Sequence, residues 1–240
     1  MRANKHIRKE LLDTRQVRKY SIFFIGEIIF IIMGIFLALQ LDNWNEIRKD
    51  KNDALAFLER IEEDLSSDTI QLNRLIDVAT EKEIAVKKYF ENASKKTYSV
   101  NSLLKKIGGI RKKYQKFNPT NDTYEELITS EKVEYISYNT RSALRKLQQR
   151  FEYLDRADEG MISEVMYLEV ECHKYFDYSY YTRDFAEERN LISKKRKAQG
   201  LLVRQNFLTM YSRWMTWQRI QYSKTKSIMR ECLAELKKEL

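Results

Sequence analysis

Glycine, proline, cysteine and histidine are all scarce in this sequence. Its 240 residues include 6 Gly, 1 Pro, 2 Cys and 2 His. Because Gly and Pro occupy most tight turns, their scarcity argues against a strand-rich fold and favours long helices. Two Cys exclude a disulfide-dense scaffold, and together with two His they exclude a multi-cysteine zinc site. Acid–base catalysis near neutral pH would have to use perturbed carboxylates or lysines.

Positive charge is concentrated at the N-terminus. The net charge of +9, taken alone, suggests a nucleic acid or an anionic membrane surface as a partner. Residues 1–20 contain seven basic and two acidic side chains, a net charge of +5, and residues 42–240 add another +5 over 199 positions. More than half of the excess therefore lies in the first twelfth of the chain, ahead of a long apolar run.

The apolar run is IFFIGEIIFIIMGIFLAL, residues 22–39, with Glu27 as its one charged residue. Eighteen residues make a helix of about 27 Å, which matches the hydrocarbon core of a bilayer. The run is apolar on all sides, whereas a core helix of a soluble protein has a polar face. It therefore predicts a transmembrane helix at residues 21–41. A cleaved signal peptide is the alternative, but no small-x-small cleavage site follows the run.

Basic residues on either side of the run predict its orientation. Residues 5–19 contain six Lys and Arg, against three in residues 42–56, and cytoplasmic flanks carry the excess. The residues nearest the membrane in this signal are Arg15, Arg18 and Lys19. We therefore expect a single-pass protein of the cytoplasmic (inner) membrane with its N-terminus in the cytoplasm. Residues 1–20 form a basic cytoplasmic tail, and residues 42–240 form an extracytoplasmic helical domain, which is periplasmic in a Gram-negative source.

Glu27 lies inside the apolar run, where a charge is costly and often functional. Gly34 is seven residues further on and Ala38 eleven, so a helix places all three on one face. Gly34 and Ala38 form a small-xxx-small pair that lets another helix approach closely, and the Glu27 carboxyl can hydrogen-bond across such a contact. We interpret this face as a site of helix packing or of pairing with a cation such as Lys19. Proton relay in an oligomer is the alternative.

The sequence on both sides of the membrane exit is similar to a known family. Residues 18–46, RKYSIFFIGEIIFIIMGIFLALQLDNWNE, resemble the N-terminus of a bacterial family catalogued only as a domain of unknown function, and TYEELITSEKVEYI at residues 123–136 continues the match. Where that family usually has a Gly-Asn turn, this chain has Glu131-Lys132, so we expect a differently shaped turn. The resemblance implies topology and no activity. Independently of the family, Trp44 follows the apolar run at the depth where indoles anchor to the interface.

Apolar residues beyond the run recur at alternating steps of three and four, which predicts that the helix continues to about residue 92. The predicted core row is Leu55, Leu58, Leu65, Leu72, Ile76, Ala79, Val86 and Phe90, with Glu62, Thr69 and Glu83 at the imperfect positions. A pause near residues 66–68, Ser-Ser-Asp, is left open because these residues cap helices better than they continue them.

Three further helices are predicted. The sequence TYEE from Thr123 matches the capping box that starts a short helix. A long helix begins near residue 139 or 140, with Asp158 as the flaw in its apolar row and Gly160 as an expected bend. A last helix covers residues 201 to about 240. The fold class is therefore all-α, with an N-terminal transmembrane helix running into a long helix and then an antiparallel helical bundle.

Cys172 and Cys232 both fall on apolar rows of long helices. A disulfide between them is open if those rows face each other in an oxidising periplasm. His173 and Glu169 lie near Cys172, but this set is too small for a zinc site, so no metal is expected. Basic and aromatic residues alternate between residues 204 and 230, a pattern that suits single-stranded nucleic acid. We do not expect nucleic acid as the ligand of an external domain.

The sequence contains no Gly-rich phosphate loop, nucleophile elbow or paired-His motif, so we expect neither an enzyme nor a cofactor. The leading hypothesis is a membrane-anchored interaction or scaffold protein of the bacterial envelope. Its expected partners are the lipid bilayer and either its own copies, as a homo-oligomer, or another envelope protein. The alternative is a subunit of an oligomeric proton-coupled or pore-forming assembly that uses Glu27.

Overall fold

The computed structural model describes residues 14–95, 97–175 and 194–240, and in this part the protein is all-α, as predicted, with no strand. The helices are α1, Thr14–Ala93; α2, Val100–Gly108; α3, Asp122–Thr129; a 3₁₀-helix, Lys132–Tyr135; α4, Tyr138–His173; and α5, Lys194–Glu239. The chain divides into two units, Met1–Asp53 and Ala54–Leu240.

Helix α1 passes through the Ser-Ser-Asp sequence at residues 66–68 without a break, so the pause left open by the sequence does not occur. The Ser66 hydroxyl donates to the Glu62 carbonyl oxygen at 2.8 Å, and the Thr69 hydroxyl donates to the Leu65 carbonyl oxygen at 2.8 Å. Hydroxyls that bond back to the preceding turn remain compatible with a helix. Both residues therefore continue α1 rather than cap it.

The bundle part of α1, Ala54–Ala93, buries a heptad row in a different register from the predicted one. The positions Leu58, Leu65, Leu72, Ala79 and Val86 are buried as predicted. At the alternate positions the fully buried residues lie one residue earlier than predicted, at Ala54, Ile61, Asp68, Leu75, Lys82 and Tyr89. The predicted Leu55, Ile76 and Phe90 are half-buried and pack against the core. This register places the Asp68 carboxylate and the Lys82 ammonium group in the core row. Apolar spacing alone does not predict charged residues at such positions.

Helices α4 and α5 are antiparallel along most of their length. Side chains join residues near the start of α4 to the end of α5 and residues near the end of α4 to the start of α5. The pairs are Ser137 with Glu239, Lys146 with Glu231, Asp158 with Trp214, and Lys174 with Arg196. Ser137 also caps α4, because its hydroxyl oxygen accepts a hydrogen bond from the Thr140 N–H.

Two clusters of buried apolar residues form the core of the unit Ala54–Leu240. The first includes Leu58, Leu65, Leu72, Phe117, Leu127, Leu144, Phe151, Met229, Cys232 and Leu236. The second includes Ala79, Val86, Leu103, Ile107, Val165, Cys172, Phe207, Leu208, Tyr211 and Trp214. Cys172 and Cys232 are both free and buried. They do not form the disulfide considered above, because the antiparallel arrangement places them in different clusters.

Residues 111–121, which we call the strap, have no regular secondary structure and connect α2 to α3. The start of α3 differs from the predicted capping box: Asn121 is the N-cap residue and its side chain makes no capping hydrogen bond. The Thr123 hydroxyl instead donates to Asp64 Oδ2 on α1 at 2.5 Å. The capping-box prediction was wrong because a tertiary partner takes the hydroxyl, although a short helix does begin here.

Glu131, after the end of α3, is the one non-glycine residue with a positive φ in the described part of the chain, at φ 61° and ψ 0°. This left-handed conformation is usual after a helix C-terminus and favours Gly or Asn. The resembling family usually has Gly at this point in the turn. The Glu-Lys sequence thus forms a turn with the backbone conformation that glycine favours.

Candidate functional site

The first candidate site is the apolar segment of α1 in the unit Met1–Asp53. This is the single helix in the described residues that is long and apolar enough to cross a membrane, judged by length and composition. All residues from Ile22 to Leu39 are exposed, and none of its apolar window is buried by the chain itself. The segment therefore presents an apolar surface that the described part of this chain does not cover.

Glu27, Gly34 and Ala38 lie on one face of this helix, because steps of seven and eleven residues return to nearly the same direction. A methyl group added at Gly34 would meet no atom within 4 Å, and the same is true at Gly26. The face is open in a single chain. Arg18 and Lys19 are exposed at the start of the segment, and Arg15 lies in α1 with its side chain outside the described set.

Trp44 lies beyond the apolar segment and is 63% exposed. The Arg48 guanidinium lies 5.6 Å from the centre of the Trp44 ring, and its Nη2 atom donates to Asn45 Oδ1 at 3.2 Å. An indole with a cation and an amide beside it suits the boundary between hydrocarbon and headgroups. Trp44 was predictable from the sequence, but its contact with Arg48, one helical turn further on, was not.

The second candidate site is a buried polar cluster around Asp158, the flaw in the apolar row of α4. Asp158 is 1% exposed. Its carboxylate accepts hydrogen bonds from Trp214 Nε1 at 2.7 Å, from Gln218 Nε2 at 3.0 Å and from the Tyr222 hydroxyl. All three donors come from the core-facing side of α5. The carboxylate is therefore fully hydrogen-bonded and closed to solvent, which suits a structural role rather than catalysis.

Burial raises the pKa of the Asp158 carboxyl, while its three hydrogen bonds and the charge of Lys116 act in the opposite direction. Burial, together with the adjacent carboxylate, raises the pKa of the Tyr222 hydroxyl. The hydroxyl thus keeps its proton and remains a donor to Asp158. A buried carboxylate without such donors would be strongly destabilising, and three well-placed donors offset that cost.

The same α5 side chains hold the strap by its backbone. The Phe117 N–H donates to the Tyr222 hydroxyl oxygen at 3.1 Å, and Gln218 Nε2 donates to the Gln115 carbonyl oxygen at 2.9 Å. Nearer the start of α5, the Lys113 N–H donates to the Tyr211 hydroxyl oxygen at 3.0 Å. The strap is thus attached to the core-facing row of α5, next to Asp158.

Side chains of the strap contact α4 as well. Lys116 Nζ lies 2.7 Å from Asp155 Oδ1 and 3.0 Å from Glu159 Oε1. Lys112 forms an ion pair with Glu169, whose other carboxylate oxygen accepts from the Tyr114 hydroxyl at 2.5 Å. Although burial acts to raise it, the pKa of Glu169 is lowered by Lys112 and Tyr114. Lys112 and Lys116 of the strap are thus structural ion-pair partners of α4.

Asp68, in the core row of α1, also binds the strap. Its two carboxylate oxygens accept from the Thr120 N–H at 3.3 and 3.1 Å, and one accepts from the Thr120 hydroxyl at 3.2 Å. Burial raises the pKa of Asp68 despite these bonds. The heptad position of Asp68 was the available signal in the sequence, since a buried acid needs donors from elsewhere in the chain. The donors on Thr120 were not predicted from the sequence.

Metal binding has no support in the described residues, where no group of three His, Cys, Asp or Glu side chains is placed to hold an ion. Glu169 is engaged by the strap, and burial raises the pKa of the Cys172 thiol. Burial likewise raises the pKa of Cys232 to about 12. Both thiols are therefore protonated near neutral pH and poorly nucleophilic.

The comparisons with known proteins give one match. No curated protein and no solved structure matches the chain. Residues 27–177 match a protein family described as a family of unknown function (DUF6090).

Proposed function

The chain belongs to the DUF6090 family of unknown function, and from this premise we propose that it is a membrane-anchored helical interaction protein of the bacterial envelope. The apolar segment of α1 anchors it in the cytoplasmic membrane. Residues 1–20 lie in the cytoplasm, and residues 42–240 lie in the periplasm, where the bundle binds copies of the same chain or another envelope protein.

The observation that carries the proposal is the contrast in burial along α1. Every residue from Ile22 to Leu39 is exposed, although the same helix buries a regular row from Ala54 onwards. A core helix of a soluble protein would be covered by its own chain, whereas a bilayer covers an apolar segment from outside. The exposed Trp44 and the basic flank support the membrane as the covering phase.

A binding role is favoured over catalysis by the state of the polar groups in the bundle. The carboxylates of Asp68, Asp158 and Glu169 all accept hydrogen bonds that hold the fold together. Such carboxylates are already used as acceptors and are poorly placed to exchange protons with a substrate. The surfaces of the bundle, rather than an internal site, are thus the parts available to other molecules.

Two measurements test this function. Extraction of native membranes at alkaline pH should leave the chain in the membrane fraction, and release into the supernatant would contradict an anchor. A reporter that is active only in the periplasm should give a signal when it is fused after Leu240. The same reporter fused before residue 20 is the control and should be inactive. A signal from a cytoplasm-specific reporter at Leu240 would overturn the orientation.

A further inference from the structure

Two helix faces of the bundle carry apolar residues at positions that point away from the core. On α1, the outermost heptad position is filled in succession by Glu63, Ile70, Asp77, Ile84 and Glu91, and all five are exposed. Ile70 is 71% and Ile84 60% exposed. Such positions on a bundle helix are usually polar throughout. The alternation of acids and isoleucines therefore marks an acidic and apolar face, which we call the α1 outer face.

The corresponding positions of α5 are Asn206, Arg213, Ile220, Ser227 and Ala234, which we call the α5 outer face. Ile220 is 50% exposed and lies in a shallow depression shared with Thr216 and Trp217. Helix α5 carries twelve basic and three acidic side chains, whereas the bundle part of α1 carries five basic and nine acidic ones. On the faces themselves, the α1 outer face carries three acids, and Arg213 is the one charged residue of the α5 outer face, so the two faces are opposite in charge.

Exposed charges lie on the α1 outer face and beside the α5 outer face. Asp77 on α1 and Lys224, beside Ile220 on α5, are exposed and have no ion-pair partner among the described residues. Two opposite charges that lack an internal partner, each next to an exposed isoleucine, fit a contact with another molecule.

The two faces also lie at the same height. Ion pairs and hydrogen bonds between α1 and α5 join Glu62 to Lys237, Asn73 to Lys226 and Glu83 to Arg219. Ile84 and Ile220 each follow one member of the last pair by one residue, so both lie at its level. Asp77 lies between Asn73 and Glu83, and Lys224 lies between Arg219 and Lys226, so these two charges also share a level.

We propose that the α1 outer face of one copy binds the α5 outer face of a neighbouring copy in the same membrane. This inference rests on the proposed function, because anchored copies share one orientation and one height. Ile84 of one copy then meets Ile220 and its depression on the next, and Asp77 meets Lys224. Two α1 outer faces, with three acids each, repel, which disfavours a contact between like α1 faces. A contact between unlike faces repeats from copy to copy and generates a ring or a row.

Disulfide trapping in native membranes tests the contact. The full chain with Ile84→Cys and Ile220→Cys should form a ladder of crosslinked species under mild oxidation. The matched control is Ile70→Cys with Ile220→Cys, because Ile70 lies on the same face but about 21 Å lower at 1.5 Å per residue. The native Cys172 and Cys232 are 2% and 1% exposed and should not contribute. Equal crosslinking by the control pair would overturn the proposal.

Co-expression of the two single variants gives the direction of the contact. Ile84→Cys with Ile220→Cys on separate chains should give dimers and no ladder, and Ile84→Cys alone should give none. Dimers from Ile84→Cys alone would replace the proposed contact with a symmetric one. Absence of all crosslinks while the chain remains in the membrane fraction would reject this contact and leave the anchored function standing. Loss of the chain from the membrane fraction would reject the function itself.

Charge exchange provides an independent measurement. Asp77→Lys or Lys224→Glu, each added to the cysteine pair, should lower the crosslinked fraction about fivefold, because an attraction becomes a repulsion. The two changes together should restore it. A double variant that crosslinks no better than either single variant would contradict the pairing of Asp77 with Lys224.

Discussion

Glu27 and Asp158 each interrupt an otherwise apolar row, but the environments of their carboxyl groups are opposite. Asp158 is buried and receives hydrogen bonds from three side chains of α5. Glu27 is exposed, and no donor to it is found in the described part of the chain. An acid whose donors come from its own chain contributes to folding. An acid in an apolar segment that lacks such donors indicates an interaction with other molecules.

The largest expected effect is on Asp158. Asp158→Leu should lower the free energy of unfolding by about 3–5 kcal/mol, because the buried donors of Trp214, Gln218 and Tyr222 lose their acceptor. Urea unfolding of the purified full chain in detergent, followed by circular dichroism, measures it. Asp155→Leu is the control and should cost at most about 1 kcal/mol, since Asp155 is half exposed in its pair with Lys116. Equal losses in the two variants would refute the structural role of Asp158.

The pH dependence of Asp158→Asn sharpens this prediction. The raised pKa of Asp158 means that the folded state binds its proton more tightly than the unfolded chain. The contribution of this group to stability therefore falls as the pH rises from about 4, the ordinary Asp value, through the pKa in the folded state. The amide of the variant does not titrate in this range. The cost of Asp158→Asn, about 1–3 kcal/mol at the acidic end, should thus shrink with rising pH in that window, and a cost independent of pH would contradict the raised pKa.

The next effect concerns the apolar segment and other molecules. Gly34→Leu should weaken association of the chain in the membrane about tenfold, because a large side chain blocks close helix approach. Gly26→Leu is a matched control on a different face of the same helix. Added methyl groups at both positions meet nothing within 4 Å of the chain itself, so any difference arises from contacts between molecules. Equal crosslinking yields for Gly34→Leu and Gly26→Leu in native membranes would show that the Gly34 face makes no contact between molecules.

Glu131→Gly should stabilise the bundle by about 1 kcal/mol, because glycine adopts the left-handed conformation without the strain that a side chain introduces. Thermal or urea unfolding of the full chain provides the measurement. Glu134→Gly, in the adjacent 3₁₀-helix where φ is not positive, is the control and should not stabilise. A loss of stability in Glu131→Gly would mean that the Glu131 side chain makes a contribution larger than the backbone strain.

The smallest effect is expected for Glu27→Gln. An amide retains hydrogen bonding, and interhelical hydrogen bonds in membranes contribute about 0.6 kcal/mol on average, so crosslinking yields should change by less than about threefold. This variant also separates the interaction hypothesis from the proton-coupled alternative. Normal assembly and a normal cellular phenotype would eliminate proton relay, whereas normal assembly with a lost phenotype would favour it.

The long helices were predictable from the sequence because their apolar spacing persists over many turns. The register of α1 was not predictable, because Asp68 and Lys82 occupy core positions where apolar spacing predicts apolar residues. Asp68 is accommodated by Thr120, which is 52 residues away in the sequence. Lys82 has its ammonium 2.7 Å from the exposed carboxylate of Glu81. Both compensations depend on tertiary or local geometry that periodicity does not contain.

The candidate sites divide in the same way. The face of Glu27, Gly34 and Ala38 follows from helical spacing alone, and Trp44 follows from its distance to the apolar run. The cluster around Asp158 could not be predicted from α4 by itself, because its donors lie on α5. The corresponding signal on α5 is the presence of the polar residues Gln218 and Tyr222 in its core row. Once the helices are known to be antiparallel, a polar residue in one apolar row can be paired with a polar residue at the same level in the other.

The strap is hydrogen-bonded to α5 through its peptide groups, which every amino acid except proline offers in full. Its N–H groups at residues 113 and 117 and its carbonyl at residue 115 bind side chains of α5. The exposed side chains at residues 113 and 115 can consequently vary while the crossing is preserved. In an alignment of relatives, we therefore expect the residues that bind the strap to be retained on the last helix. These are Tyr211, Gln218 and Tyr222, at spacings of seven and four residues.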